Sequence, residues 1–302
     1  MRTVALVAVI AITSGITSAQ PQNLVPNGGF EDYRHCPGDF SESTEEFAVL
    51  GWRSASRGTP DHFHSCSSGD ANVPYNWAGV ADAWEGDGYA GIYVWMSDVN
   101  QYREYLQCKL AQPLVKDSTY EIGFRFKLSS YSKYAVDRIG LVLTDSLLTV
   151  PHDRVLHIEP TLSVVQDSAL TKQTGLWEKA SMTYKARGGE SFLTIGNFFD
   201  NVSTRDYEII FRPVSQPMLA HSAYYYVDDV QVVPAYDKFD ALELVPEFTL
   251  PGADLNTTYV LQNVRFEFDS YKLMFSSFEE LDQVVTYLME NPDVRVVLAG
   301  HT

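Results

Sequence analysis

The sequence predicts a mostly β chain: a jelly-roll β-sandwich over residues 20–235, followed by a partial α/β unit, strand–helix–strand, over 260–302. Three observations carry this. Aromatic and β-branched runs are broken by Gly and Pro at short intervals, the mark of many short strands. Helical periodicity is almost absent before residue 235, which argues for a sandwich or jelly roll. After residue 260 one alternating stretch gives way to a stretch with a helical stripe.

The chain opens as a secretory signal, residues 1–19. Met1-Arg2 supplies a positive start, Val4 to Ile12 an apolar run, and Thr17-Ser18-Ala19 a small-residue cleavage site before Gln20. That run is shorter than the ~20 apolar residues a bilayer span needs, and no later stretch is long and apolar enough to span. An anchor that is never cleaved is the other reading of the same residues. No Cys follows the proposed cut, which argues against a lipid-modified N-terminus.

The clearest strands are Tyr89 to Met96, Tyr120 to Leu128, Ile139 to Leu143, Ser181 to Tyr184, Phe192 to Asn197 and Tyr224 to Val233. In the second of these Tyr120, Ile122, Phe124 and Phe126 alternate with polar or small residues, so one face is expected to be buried. Residues 236–259, with Pro246, Pro251, Gly252 and scattered acids, read as a linker. Beyond it Val264, Phe266 and Phe268 alternate with Arg265, Glu267 and Asp269. Ser276 and Glu279 form a capping box at a helix start. Phe278, Leu281, Val285 and Leu288 are expected on one helical face, Asn291-Pro292 stops the helix, and Val294 to Leu298 is a second strand. Two strands and a helix do not bury their apolar faces alone, so this C-terminal unit reads as incomplete, with completion of its sheet by another chain as the alternative.

The formal net charge is -17. So acidic a chain repels phosphate backbones, which makes nucleic acid a poor partner, and favours hard divalent cations. Of the three cysteines, Cys36, Cys66 and Cys108, a Cys36–Cys66 disulfide with Cys108 left over is the simplest arithmetic for an exported protein. Three free thiols are the alternative. No Cys/His spacing suits zinc. A nucleophile elbow, a phosphate loop and a dinucleotide fingerprint are all absent.

The stretch VRFEFDSYKL (Val264 to Leu273), the helix Ser276 to Glu290 and VRVVLAGHT (Val294 to Thr302) resemble the first third of an OmpA-like peptidoglycan-binding domain. The resemblance covers about forty residues. It implies recognition of a diaminopimelate carboxylate and amine by an Arg and an Asp. Both would lie beyond Thr302, so only Gly300, His301 and Thr302 match the edge of that site. The chain as it stands is expected to bind peptidoglycan weakly or not at all.

LVPNGGFEDY (Leu24 to Tyr33), Gly51-Trp52, GTPDHFHSC (Gly58 to Cys66), GDGYAGI (Gly86 to Ile92), YREYLQCKL (Tyr102 to Leu110) and YYYVDDVQV (Tyr224 to Val232) resemble the module that precedes such domains in envelope proteins of Bacteroidetes-type bacteria. The opening NGGFE and the closing YVDDV also resemble the two ends of a carbohydrate-binding jelly roll. That resemblance implies a structural calcium ion held by Glu31 and Asp228, with Asp229 as substitute, locking the first strand to the last. Simple satisfaction of turn amides is the alternative role for these acids.

Trp52, Trp77, Trp84, Tyr89, Tyr93 and Trp95 cluster in the first third of the chain. Loops holding Trp77, Trp84, Asp82 and Glu85 are expected to offer a stacking platform with polar groups for sugar hydroxyls; core packing is the competing role, and is expected for Trp52 and Tyr93. His62 and His64 alternate along one strand, beside Asp61 and with His35 nearby, a pattern open to metal binding, to an acid–base dyad or to simple solvation. The acids and bases of Tyr102-Arg103-Glu104-Tyr105 and Asp137-Arg138 are expected in cross-strand pairs or loop caps.

These readings converge on an exported, non-enzymatic protein of the periplasm and outer membrane of a Gram-negative bacterium. Its partners are expected to be a glycan and, through a complete C-terminal domain, peptidoglycan. A polysaccharide hydrolase or lyase, needing two facing carboxylates in a groove, and a purely structural or adhesive protein are the alternatives.

Overall fold

The computed structural model describes residues 22–171, 175–210, 217–235, 264, 276–290 and 292. The chain divides into two compact units, Gln20–Tyr236 and a second that contains the C-terminal helix.

The first unit holds fourteen strands: β1 (Trp52–Ser54), β2 (Asp61–His64), β3 (Tyr75–Asn76), β4 (Gly79–Val80), β5 (Gly88–Met96), β6 (Leu106–Lys109), β7 (Thr119–Leu128), β8 (Tyr134–Val136), β9 (Arg138–Thr144), β10 (Leu162–Val165), β11 (Glu178–Lys185), β12 (Phe192–Gly196), β13 (Asp206–Glu208) and β14 (Ser222–Pro234). Two five-stranded sheets are formed, ordered β1-β6-β12-β9-β10 and β11-β7-β14-β5-β2, together with the small pairs β3-β4 and β8-β13. Every pairing is antiparallel. Consecutive long strands repeatedly change sheet, from β5 to β6 to β7 and from β10 to β11 to β12. This is the jelly-roll sandwich expected from the sequence, and each of the six strands read there lies within or against an observed one.

The core follows from period-two alternation. Tyr120, Ile122, Phe124, Phe126 and Leu128 of β7 point inward with Ala90, Ile92 and Val94 of β5 and Tyr225 and Val227 of β14. They meet Leu106, Cys108, Leu141, Leu143, Leu193 and Ile195 of the other sheet. The N-terminal segment closes on the last strand: the Leu24 N–H donates to the Val232 carbonyl at 2.8 Å, and the Val230 N–H to that of Gly28 at 2.9 Å.

A second apolar layer covers the outer face of the β11-β7-β14-β5-β2 sheet. Phe63, Tyr89, Tyr93, Tyr224 and Tyr226 rise from the strands, and Ala71, Trp77, Ala78 and Ala81 cover them from the segment 66–83. A disulfide joins Cys36 to Cys66 (S–S 2.07 Å) and so ties the loop 36–41 to this cover. Cys108 is a buried free thiol. Gly91 is required beneath the layer, because a side chain there would run into the Tyr224 ring.

In the second unit α1 spans Ser276–Glu290. Leu281, Val284 and Leu288 are its shielded apolar residues, an i, i+3, i+7 stripe, whereas Phe278 and Val285 are exposed. The stripe therefore lies to one side of the face read from the sequence. Among the described residues no helix is long and apolar enough to cross a membrane. The signal at 1–19, the linker 236–259, the strands around Val264 (itself described) and Val294 to Leu298, and Gly300, His301 and Thr302 lie outside the described residues.

Candidate functional site

Three groups of residues sit on or under the outer face of the β11-β7-β14-β5-β2 sheet. The first is an acid–tyrosine cluster. Asp61 is 2% exposed and Glu104 1% exposed. Tyr224 donates its hydroxyl to Asp61 at 2.6 Å, and the Ser41 N–H donates to the same carboxyl at 2.6 Å. Glu104 accepts the Tyr102 hydroxyl at 2.7 Å and the Tyr93 N–H at 2.9 Å. Among the described residues no ion pair reaches either acid. Burial pushes the Asp61 carboxyl up to about 7, partly offset by the Tyr224 and Ser41 hydrogen bonds. Burial, and the nearby Asp61, raise Glu104 as well.

Of the two roles expected for Arg103 and Glu104, cross-strand pairs or loop caps, the structure shows caps, Glu104 also accepting the Thr59 N–H at 3.2 Å. Arg103 is buried and donates to the Tyr102 and Phe199 carbonyls and, at 2.6 Å, to Asn201 Oδ1. Burial lowers it to about 10.

Asp61 and the histidines point to opposite faces of β2, so no acid–imidazole dyad forms. His62 Nε2 donates to the Phe30 carbonyl at 3.0 Å. His64 Nδ1 accepts the Cys66 N–H at 3.0 Å. Burial takes His62 down to about 4, which keeps it neutral. Among the described residues no group of three or more His, Cys, Asp and Glu is placed to hold a metal.

The second group is Glu31 with Asp228. The turn at Gly29 brings them together: a Cβ at Gly29 would lie 3.9 Å from Asp228 Oδ1 and 4.0 Å from Glu31 Oε1. The loop 84–88 wraps both. Glu31 accepts the Asp87 and Gly88 N–H groups at 3.0 Å, and Asp228 accepts those of Trp84 at 2.8 Å and Asp229 at 2.7 Å. Gly86 has φ 72° and passes so close to Glu31 that any side chain would strike the carboxylate. Burial pushes Asp228 up to about 7. Asp229 is engaged elsewhere, accepting from Arg125 Nε at 3.1 Å. Two hard carboxylates converging on one turn suit calcium in kind, while the amides already satisfy much of their demand.

The third group is the platform. Trp77, expected there, is corrected: it is 6% exposed and packs on Phe63, Tyr93 and Tyr224 as the anchor of the cover. Apolar burial outweighs exposure for that ring because three aromatic partners await it. Trp52 and Tyr93 are buried as expected. Trp84 is 45% exposed, and Asp82 and Glu85 flank it on the surface. Its ring is held by the Arg125 guanidinium, 3.4 Å from the ring centre. Trp177, which the sequence reading passed over, lies on the same outer face. Its Nε1 donates to the Asp82 carbonyl at 3.0 Å, and Lys127 Nζ stands 5.9 Å from its ring centre. Arg125 and Lys127 were visible in the sequence only as the polar partners in the β7 alternation.

No family model and no curated protein matches this chain. Among solved structures it is similar to a cleaved adhesin domain of Lys-gingipain from Porphyromonas gingivalis W83, at 11% identity and a TM-score of 0.33, covering 65% of this chain and 98% of that one. It is also similar to TmCBM61 in complex with β-1,4-galactotriose (16%, 0.31, 71% and 99%). A third is the CBM22-1 xylan-binding domain of Paenibacillus barcinonensis Xyn10C (16%, 0.30, 67% and 99%). Scores this low carry no argument about the present chain, whose fold rests on its own strand order.

Proposed function

We propose that the sandwich is a non-enzymatic glycan-binding module of an exported envelope protein. One observation carries this reading: Trp84 is an exposed indole held in place on the outer sheet face, with Trp177 on the same face and hydrogen-bonding side chains around both. A ring held in place loses little entropy on stacking against a sugar, and neighbouring polar groups select the hydroxyls. The test is a glycan array probed with the protein and with Trp84→Ala. Retention of one glycan class by the wild type alone is expected; an array without hits would overturn the reading.

The export signal and the OmpA-like resemblance of 264–302 support an envelope location and association with peptidoglycan. A calcium ion between Glu31 and Asp228 is part of the same proposal. It would neutralise a buried carboxyl that has no cationic partner among the described residues and would join the first and last strands.

Asp61 and Glu104 are two neighbouring acids of the kind a glycosidase needs, which is what favours the enzymatic alternative. Both are buried, at 2% and 1% exposure, and a hydrolase needs its pair open to substrate and water. A flat, purely structural surface is disfavoured by the exposed Trp84.

A further inference from the structure

We infer that the outer face of β7 and β11 takes an anionic saccharide, one that carries a carboxylate on its sugar rings; this rests on the glycan-binding reading above. Strand pairing supplies the first observation. Lys179 of β11 stands directly opposite Arg125 of β7, two like charges as cross-strand partners. Such a pair is unfavourable by itself; here Asp229 offsets the Arg125 charge at 3.1 Å and leaves that of Lys179 without an ion pair among the described residues.

Lys127 supplies the second. It is two residues along β7 from Arg125 and shares its face, roughly 7 Å away at the usual strand rise. It is only 7% exposed. Among the described residues its ammonium makes no ion pair and no hydrogen bond; Asp82 is its nearby acid and lies outside ion-pair reach. Its nitrogen is not sealed from water and stands 5.9 Å from the centre of the Trp177 ring, so an arriving carboxylate can take a charge-assisted hydrogen bond from it.

Two acids of the face are committed, while Asp82 and Glu85 stay on the surface beside Trp84. Asp229 takes the Nε edge of Arg125. Asp228, opposite Arg125 on β14, turns its oxygens to backbone amides. Lys127 and Lys179 are therefore the donors left for a ligand, between indoles at Trp84 and Trp177. In a chain of net charge -17 this cationic strip runs against the overall field. A neutral sugar can accept hydrogen bonds from these ammonium groups through its hydroxyls, whereas a carboxylated one gains stronger charge-assisted bonds while its C–H faces stack.

The experiment is calorimetric titration of the purified protein with an oligogalacturonate and with a neutral galacto-oligosaccharide of the same length, at low and moderate salt. A sulfated oligosaccharide serves as a third arm, separating carboxylate selectivity from general anion attraction. Wild type is expected to bind the oligogalacturonate about tenfold more tightly than the neutral sugar, with the preference shrinking as salt rises. Lys179→Gln, an exposed change that leaves the fold alone, is expected to weaken the acidic ligand several-fold and leave the neutral one unchanged. Equal binding of acidic and neutral sugars, with Lys179→Gln indifferent, would overturn this inference and leave the glycan reading standing. Tighter binding of the sulfated arm than of the oligogalacturonate would overturn the carboxylate assignment. Binding of none of the three would overturn both.

Discussion

The Arg125 guanidinium lies 3.4 Å from the centre of the Trp84 ring while its Nε donates to Asp229 at 3.1 Å. A loop indole is thereby fixed to a sheet by a residue from β7 and an acid from β14. The two tryptophans that the sequence places on one platform thus have opposite roles. Trp84 lies on the surface, and Trp77 is structural.

Trp77→Ala is expected to cost about 3–5 kcal/mol, because it removes the anchor of the cover and leaves a cavity against Phe63, Tyr93 and Tyr224. Trp84→Ala is expected to cost only about 1 kcal/mol, the scale of a surface cation–π contact. Urea unfolding of the two variants checks the contrast.

Lys127→Met is expected to raise stability by about 1 kcal/mol while weakening an anionic ligand, the pattern of a group kept for binding at the expense of the fold. Thermal melting and titration on the same preparation read both effects. A destabilised Lys127→Met would mean that the ammonium has a structural partner.

Asp61 carries a pH signature. Its folded value of about 7 lies above the ordinary 3.8, so between those limits the folded form holds the extra proton. Stability from this group is therefore full below about pH 4 and falls as pH rises through about 7, by on the order of a few kcal/mol. His62, lowered to about 4, acts in the opposite sense, its contribution being lost as pH falls from 6.5 through about 4. Asp61→Asn isolates the acid: relative to wild type it should gain stability between pH 4.5 and pH 8. A difference independent of pH would contradict the assignment.

Reduction of Cys36–Cys66, which closes a loop over a sequence separation of 30, is expected to cost about 3–4 kcal/mol by chain entropy. The loss should appear first in the cover, since the disulfide secures it. Faster acrylamide quenching of tryptophan fluorescence after reduction would report the freed Trp77.

Chelation addresses the calcium proposal. With an ion between Glu31 and Asp228, EDTA lowers the melting midpoint and added calcium restores it. A midpoint indifferent to both removes the ion and leaves the loop 84–88 amides as the full complement of the two acids.

The strands of this fold are legible in the sequence because period-two alternation needs no tertiary information: β5, β7, β9 and β14 show it in their aromatic and branched residues. The meeting of Glu31 with Asp228 was legible only by resemblance, since 197 positions separate them by subtraction of their residue numbers. The platform was half legible. Trp84 stood out as an aromatic in a polar loop, but Trp77 sits in similar company at GlyAla-rich 78–81 and differs only in having a cavity to fill. Arg125, Lys127 and Lys179 carry no local signal, because a cation on an outward strand position is ordinary until cross-strand register sets it beside another. For Glu104, cross-strand pairing and loop capping were both open, and the structure takes the cap: its carboxylate accepts the Thr59 and Tyr93 N–H groups.

The most direct test is calorimetric titration of wild type and Trp84→Ala, well below the melting midpoint of either, with the tightest glycan found on an array. Saturable wild-type binding that weakens at least about tenfold in the variant, the loss of one stacked ring, is the expected result. Undiminished binding by Trp84→Ala would contradict a glycan site on this face.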